Sequence, residues 1–413
     1  MTKEELKVAA LNYHIGGKTE INIKTSVASE DDLSLAYSPG VAEPCLEIEK
    51  NPLDAYKYTN KANLVAVISN GTAVLGLGNL GALASKPVME GKSVLFKRFA
   101  GIDAFDIELD ESDPQKIVDI VRALAPTFGG INLEDIKAPE CFYIENELKK
   151  QLNIPIMHDD QHGTAIICTA GLINGAKLAN KELSSLKLVV LGAGGAAISC
   201  AKMARSLGIS DIVMFDSKGV LSSDRDDLNE YKREFAVDLN ALKAQGRFIT
   251  CYKDALNGAD VVFGLSRADI LSPDDIAGMA KDPLIFVMSN PNPEIAPDLI
   301  KSTRSDAIIA TGRSDLPNQI NNVLGFPYIF KGALIAQATA INEQMKLAAA
   351  SELAKLAREQ IPENIKRELE LIHHRQVGFG REYIIPSPFD PRLLTQISNA
   401  VAQAARQSGV ARS

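Results

Sequence analysis

The sequence has no pair of cysteines at metal-binding or disulfide spacing, no excess of positive charge, no internal repeat and no phosphate loop carrying a lysine. It also lacks any uncharged apolar run of the ~20 residues that a membrane helix needs. Each absence removes a class of protein. Cys45, Cys141, Cys168, Cys200 and Cys251 are scattered, which excludes a zinc framework or disulfide scaffold and reads as buried thiols in a reducing compartment. A formal net charge of -8 argues against nucleic acid, whose phosphates such a surface would repel. Met1 to Leu11 interleaves Lys3, Glu4, Glu5 and Lys7 with Leu6, Val8 and Leu11. That is an amphipathic helix without the apolar core of a signal peptide, so a cytoplasmic protein with no membrane partner is expected. Without a lysine-bearing phosphate loop, phosphoryl transfer has nothing to run on.

What remains is the composition of a soluble enzyme, 46% hydrophobic and 23% charged over 413 residues, a length that calls for two domains. The chain changes character at Pro155 to Ala165. Residues 1–158 are expected to form a smaller α/β substrate and metal domain, and 159–413 a Rossmann-type domain with a doubly wound parallel sheet and C-terminal helices.

In the first part, Ile21, Ile23 and Val27 alternate with polar residues, as in a strand or extended arm. Tyr37 precedes Ser38-Pro39-Gly40 and is expected at a strand-to-loop junction, either packing or acting as an acid. Leu64–Ile68 and Thr72–Leu75 flank Asn70-Gly71, a hairpin signal. Gly76-Leu77-Gly78-Asn79-Leu80-Gly81 then spells G-x-G-x-x-G. A preceding hairpin and Pro87 soon after deny it the βαβ setting a dinucleotide site needs, so it reads as a packed turn. Met89–Arg98 reads as a strand with Lys92 near its start, a candidate general base whose pKa burial would depress.

Glu134 and Asp135 end one predicted strand, Asp159 and Asp160 end another, and one helix lies between. Parallel neighbours would bring both acidic pairs to one sheet edge. Four carboxylates there call for a cation, and oxygen ligands select Mg²⁺ or Mn²⁺. His158 and His162 straddle a strand–helix junction and read as structural.

In the second part, Lys187–Leu191 is a buried strand followed by Gly192-Ala193-Gly194-Gly195-Ala196-Ala197, the helix Ile198–Leu207 and a strand ending in Asp216. This is G-x-G-x-x-A in its proper setting, expected to cradle a pyrophosphate while Asp216 accepts ribose hydroxyls. Asp216 favours NAD, and Ser217 and Lys218 favour NADP. Further strands are expected at Val261–Leu265, Leu284–Met288 and Ala307–Ala310. Asn290 is expected at a strand end facing the cofactor crevice. Gly312-Arg313-Ser314 and the Asn318–Asn322 stretch follow, with asparagines suited to a carboxylate and a carboxamide. Ala333–Gln360 reads as one long helix.

Tyr37-Ser38-Pro39-Gly40-Val41, Gly76–Gly81, Met89–Lys92, Phe99–Asp103, Glu134-Asp135, His158–Ala165, Ser289–Glu294 and Asn321-Asn322-Val323, in this order, resemble the malic enzymes of the compact bacterial type. Those enzymes convert L-malate to pyruvate and CO₂ with NAD or NADP and Mg²⁺ or Mn²⁺. The resemblance implies Glu134, Asp135 and Asp160 as metal ligands and Lys92 as the base on the C2 hydroxyl, with Asp159 as its polar partner. It further implies Tyr37 as the acid at C3, Asn290 and Asn321 as substrate and nicotinamide contacts, a homodimer or higher homo-oligomer, and no appended acyltransferase-like region. Larger members carry an arginine where this chain has Ala73, so their carboxylate clamp does not transfer. A non-decarboxylating 2-hydroxyacid or amino-acid dehydrogenase, or a silent nucleotide-sensing module, is the competing expectation.

Overall fold

The computed structural model describes residues 2–313, 315–373 and 376–412. Met1 and Ser314, both in stretches considered above, lie outside the described residues. Two parallel sheets organise the chain. The first holds β1 (Leu64–Ser69), β2 (Asp103–Glu108), β3 (Gly130–Leu133) and β4 (Ile156–His158) in the order β2-β1-β3-β4. The second holds β5 (Lys187–Leu191), β6 (Asp211–Asp216), β7 (Gly219–Val220), β8 (Val261–Gly264), β9 (Leu284–Val287) and β10 (Ile308–Thr311) in the order β10-β9-β8-β5-β6-β7. Only β7 runs antiparallel. The chain leaves β5 for β6 on one side and crosses to β8 on the other, so β5 marks the switch point where open α/β sheets bind ligands. All six residues of β1 are buried, as the unbroken apolar run of a strand covered on both faces requires.

Several expectations fail for local reasons. The hairpin is absent: β1 pairs with β2 and β3, both parallel, and Thr72–Leu75 is not a strand. Gly71, at φ 67°, instead closes a loop, its carbonyl accepting from the N–H groups of Leu80 at 3.0 Å and Gly81 at 3.1 Å. Lys92 lies in the helix Ala82–Ala100, which runs through Pro87. Ser85, Met89, Lys92, Ser93, Phe96 and Ala100 form its buried face, and that helical period outweighs the one backbone bond proline removes. Tyr37 caps the C-terminus of the helix Glu30–Ala36 rather than ending a strand. The stretch before that helix is an arm without strand pairing. The long C-terminal helix is two, Phe326–Ile335 and Glu343–Arg358. Gln337 at φ 42° breaks it, and the Asn342 side chain restarts it by accepting from the Met345 N–H, a standard N-cap.

The helix Asp159–Leu178 joins the two sheets and buries most of its length. Its glycines permit that: a Cβ on Gly175 would come within 2.5 Å of Leu284 in β9, and one on Gly171 within 3.2 Å of Phe286. Among the described residues no helix is long and apolar enough to cross a membrane.

Candidate active site between the sheets

Leu133 of β3 stands opposite His158 of β4, so Glu134-Asp135 and Asp159-Asp160 emerge side by side at one sheet edge. The Asp135 N–H donates to Asp160 Oδ2 at 2.7 Å, and Asn132 Nδ2 donates to Glu134 Oε2 at 2.8 Å. Oxygens of Glu134, Asp135 and Asp160 all lie within 4.8 Å of one another. Asp159 turns away from this trio. Its Oδ2 accepts from Lys92 Nζ at 2.7 Å, and Lys92 also lies 2.7 Å from Glu134 Oε1 and 4.2 Å from the centre of the Phe326 ring.

These groups are buried, and their proton affinities follow. Burial, then the neighbouring Asp160 charge, pushes Asp135 up to about 7. Burial likewise raises Glu134 well above the carboxylate range and raises Asp159, with Lys92 opposing in both. For Lys92 burial is the largest influence and lowers its pKa, yet Asp159, Glu134 and Asp160 together outweigh it and the net shift is upward. The expected depression of Lys92 is therefore reversed, because three acids surround the ammonium. A divalent cation fits the trio: its donors are all oxygen, and the buried Asp135 Oδ2 has no hydrogen-bond partner among the described residues. Such a ligand set suits Mg²⁺ or Mn²⁺.

Three further segments converge here. The Asn321 side chain accepts from the Val323 N–H at 3.0 Å, capping the turn Asn322–Leu324. Asn322 accepts from the Thr164 hydroxyl at 3.0 Å and donates to the Asp159 carbonyl at 3.4 Å. Asn290 follows β9, and its carbonyl lies against the Gly76 loop, where a Cβ on Gly76 would approach to 2.9 Å. Ala73 of that loop donates to the Asp135 carbonyl at 2.9 Å. The G-x-G-x-x-G loop thus spans from the acids to Asn290. Tyr37 does not join them; its side chain is 71% exposed. Phe326 carries no signal in the sequence, whereas Asn322 belongs to the asparagine-rich stretch that does.

His158 is 1% exposed; among the described residues neither ring nitrogen has a hydrogen-bond partner, and Nδ1 lies 3.7 Å from Asp160 Oδ2. His162 Nε2 meets Glu145 Oε2 at 2.9 Å, and its Nδ1 meets Lys346 Nζ at 3.1 Å. Burial brings His162 down to about 4, so it is neutral at pH 7. Lysine can only donate, so Nδ1 accepts and Nε2 carries the proton to Glu145.

At the switch point, Gly192 takes φ 116°, and a Cβ there would meet the Leu265 carbonyl at 2.2 Å. Only glycine fits. The helix Gly195–Ser206 begins directly after Gly194, so Gly192, Ala193, Gly194, Gly195, Ala196 and Ala197 form the turn and first helical residues; the Gly192 N–H donates to the Phe215 carbonyl at 2.8 Å, and the N–H groups of the first helical turn have no intrahelical partner and face the crevice. Asp216 is held by donors from the segment that follows it. Oδ1 accepts from the Lys218 N–H at 2.9 Å and Arg225 Nη1 at 2.9 Å; Oδ2 accepts from Arg225 Nη2 at 3.0 Å and Lys232 Nζ at 2.8 Å. Burial would raise this carboxyl, but those donors bring it down to about 2. Four donor contacts thus converge on this one carboxylate.

Residues 161–374 match the family described as malic enzyme, NAD binding domain, and residues 16–115 and 110–149 match malic enzyme, N-terminal domain. The chain is 55% identical over 414 residues to the NADP-dependent malic enzyme of Salmonella typhimurium, covering 99% of this chain and 53% of that protein. It is 55% identical over 409 residues to the NADP-dependent malic enzyme of Halomonas elongata, covering 98% of this chain and 94% of that one. A Rhizobium meliloti relative named as NAD-dependent malic enzyme is 52% identical over 402 residues, covering 97% of this chain and 51% of that one. The chain thus spans about half the length of the Salmonella and Rhizobium proteins. The crystal structure of a malic enzyme from Pyrococcus horikoshii superposes with a TM-score of 0.89 at 42% identity, covering 99% of this chain and 92% of that one.

Proposed function

Because the chain belongs to the malic enzyme family, we propose that it converts L-malate to pyruvate and CO₂ while reducing NADP. The observation that carries this reading is the meeting of Lys92 with two acidic pairs at one sheet edge, a constellation a plain dehydrogenase would leave idle. In this reading residues 1–158 form the catalytic unit and 159–413 the nucleotide unit. Glu134, Asp135 and Asp160 would hold Mg²⁺ or Mn²⁺, which supplies Lewis-acid polarisation at the C2 oxygen and steadies the enolate charge. With the acids' charge taken up by a cation, burial is left to lower Lys92. Lys92 then accepts the C2 hydroxyl proton as the C2 hydride passes to the nicotinamide, and Asp159 orients the ammonium that forms. After CO₂ departs from C3, the Tyr37 phenol supplies the C3 proton. Asn290 and Asn321 contact substrate and nicotinamide carboxamide.

We favour NADP over NAD because Asp216 has its acceptor positions filled. Lys218, Arg225 and Lys232 pair with Asp216 and Asp227, and they supply cationic donors suited to a 2′-phosphate. We further infer a homodimer or higher homo-oligomer in the cytoplasm. The supports are an N-terminal arm with no buried residue among those described and five free cysteines. The test incubates the protein with L-malate, Mn²⁺ and NADP or NAD, following reduced nicotinamide and CO₂ together. Equal release of both, faster with NADP, is expected. Reduction without CO₂ would mean a plain dehydrogenase.

A further inference from the structure

The helix Asp159–Leu178 opens without a side-chain cap. Its N-cap residue is His158, whose side chain makes no bond to the first turn. Asp159 and Asp160 stand in that turn, so the residues on which the acidic corner depends gain no support from their own helix end.

The support comes from another element. Glu145, on the helix Glu140–Gln151, is 3% exposed. Its Oε1 accepts from the His158 N–H at 3.0 Å and from Lys149 Nζ at 2.8 Å, and its Oε2 meets His162 Nε2 at 2.9 Å. His158 directly precedes the acidic pair and His162 closely follows it. One carboxylate therefore grips both ends of the segment that carries Asp159 and Asp160, and its charge also suits a helix N-terminus.

This bracket closes with one arrangement of protons. Lys346, 2% exposed on the helix Glu343–Arg358, donates to Glu343 and to His162 Nδ1 at 3.1 Å. With Nδ1 accepting, the neutral ring carries its proton on Nε2, and Glu145 Oε2 is the acceptor that proton meets. Glutamine at position 145 would fill the same space and fail the pattern. Lys149 and the His158 N–H both donate, so they would draw the amide oxygen toward themselves and leave the amide N–H₂ against the Nε2 proton. A buried donor would then face a donor.

We propose that Glu145 is a positioning residue for the acidic pair, gripping His158 and His162 so that Asp159 stays on Lys92 and Asp160 stays with Glu134 and Asp135. Lys346 fixes the His162 tautomer that makes a carboxylate obligatory at position 145. The proposal rests on the reading of Glu134, Asp135 and Asp160 as metal ligands.

The test compares the wild type with Glu145→Gln, Lys346→Met and the double variant. Mn²⁺ affinity is measured by electron resonance, NADP affinity by fluorescence, and kcat and KM with malate. Glu145→Gln should weaken Mn²⁺ binding about tenfold, as loss of a group that orients a metal ligand does, and lower kcat. Its NADP affinity should change less than about twofold. Lys346→Met alone should leave Mn²⁺ affinity within about twofold of the wild type, because Glu145 still accepts from Nε2. Adding Lys346→Met to Glu145→Gln should recover most of the lost Mn²⁺ affinity: with the lysine gone, Nδ1 can carry the proton and Nε2 can accept from the glutamine amide. Two merely structural defects would add instead. Unchanged Mn²⁺ affinity in Glu145→Gln, a matching loss of NADP affinity, or a double variant no better than Glu145→Gln overturns the proposal. A second measurement needs no variant and no metal. The ring-nitrogen chemical shifts of His162 in isotope-labelled wild type should place the proton on Nε2; a proton on Nδ1 overturns the proposal. A wild type that binds no Mn²⁺ would sink the metal reading alone, since the tautomer still decides whether the bracket closes.

Discussion

Gly76–Gly81 and Gly192–Ala197 carry nearly the same spelling, and each follows a parallel strand and precedes a helix. They differ in the turn. After β5 the chain reaches its helix within Gly192-Ala193-Gly194, so the helical N–H groups point straight out of the switch-point crevice. After β1 a loop from Asn70 to Gly81 intervenes, folded on the Gly71 carbonyl, with its glycines spent on approach to Asn290 and to itself. The reasons for setting the first loop aside in the sequence, a hairpin before it and a helix break at Pro87, are both wrong. Turn length is the better criterion: a strand, a glycine and a helix make a phosphate cradle only when the turn is too short to fold on anything else.

The contrast predicts a split between chemistry and nucleotide binding. Lys92→Ala, beneath the first loop, should lower kcat by about 10³-fold, within the range for loss of a general base, while nucleotide affinity measured by fluorescence changes less than about twofold. A comparable loss of affinity would merge the two regions. Gly192→Val forces a side chain onto the Leu265 carbonyl and should weaken nucleotide binding by about 10²-fold, equivalent to ~2.7 kcal/mol, with Mn²⁺ affinity intact. Parallel loss of both ligands would dissolve the distinction.

Next in size is a pH effect confined to the acid corner. With Asp135 at about 7, protons compete with the cation below that pH. Apparent Mn²⁺ affinity should therefore rise about tenfold per unit up to pH 7 and level off above it. The sign for stability is opposite. A folded carboxyl raised above its unfolded value of ~3.9 makes the metal-free protein less stable as pH climbs from about 4 to about 7, and Mn²⁺ should remove that slope in a thermal melt. Smallest is Gly78→Ala, in open space at φ 82°. It should cost about 1 kcal/mol of stability with kinetics unchanged; a kinetic defect would give the first loop a nucleotide role after all.

The acidic pairs were legible because each follows a short apolar run, and parallel pairing of such runs leaves one outcome for the residues after them. The switch-point turn was legible because strand, glycines and helix are contiguous. What escaped is what contiguity does not carry. Lys92 looked like strand because Val94, Leu95 and Phe96 mask a helical face whose members are Met89, Ser93 and Phe96. The side-chain partners of Asp216 stand 9 and 16 positions away in a loop with no signature. Asn322 reaches Asp159 from 163 positions off. Tyr37 was placed by resemblance alone, and its own chain does not bring it to the acids.

His158 ends β4 and Asp159 begins the joining helix with no residue between them. The seam between the sheets therefore falls on the acids themselves. A change of angle between the sheets would pivot there and would alter the spacing of Asp160 from Glu134 and Asp135. A cation held by those three oxygens would report such a change through its coordination. The electron-resonance spectrum of bound Mn²⁺ would then follow opening and closing of the crevice as nucleotide enters.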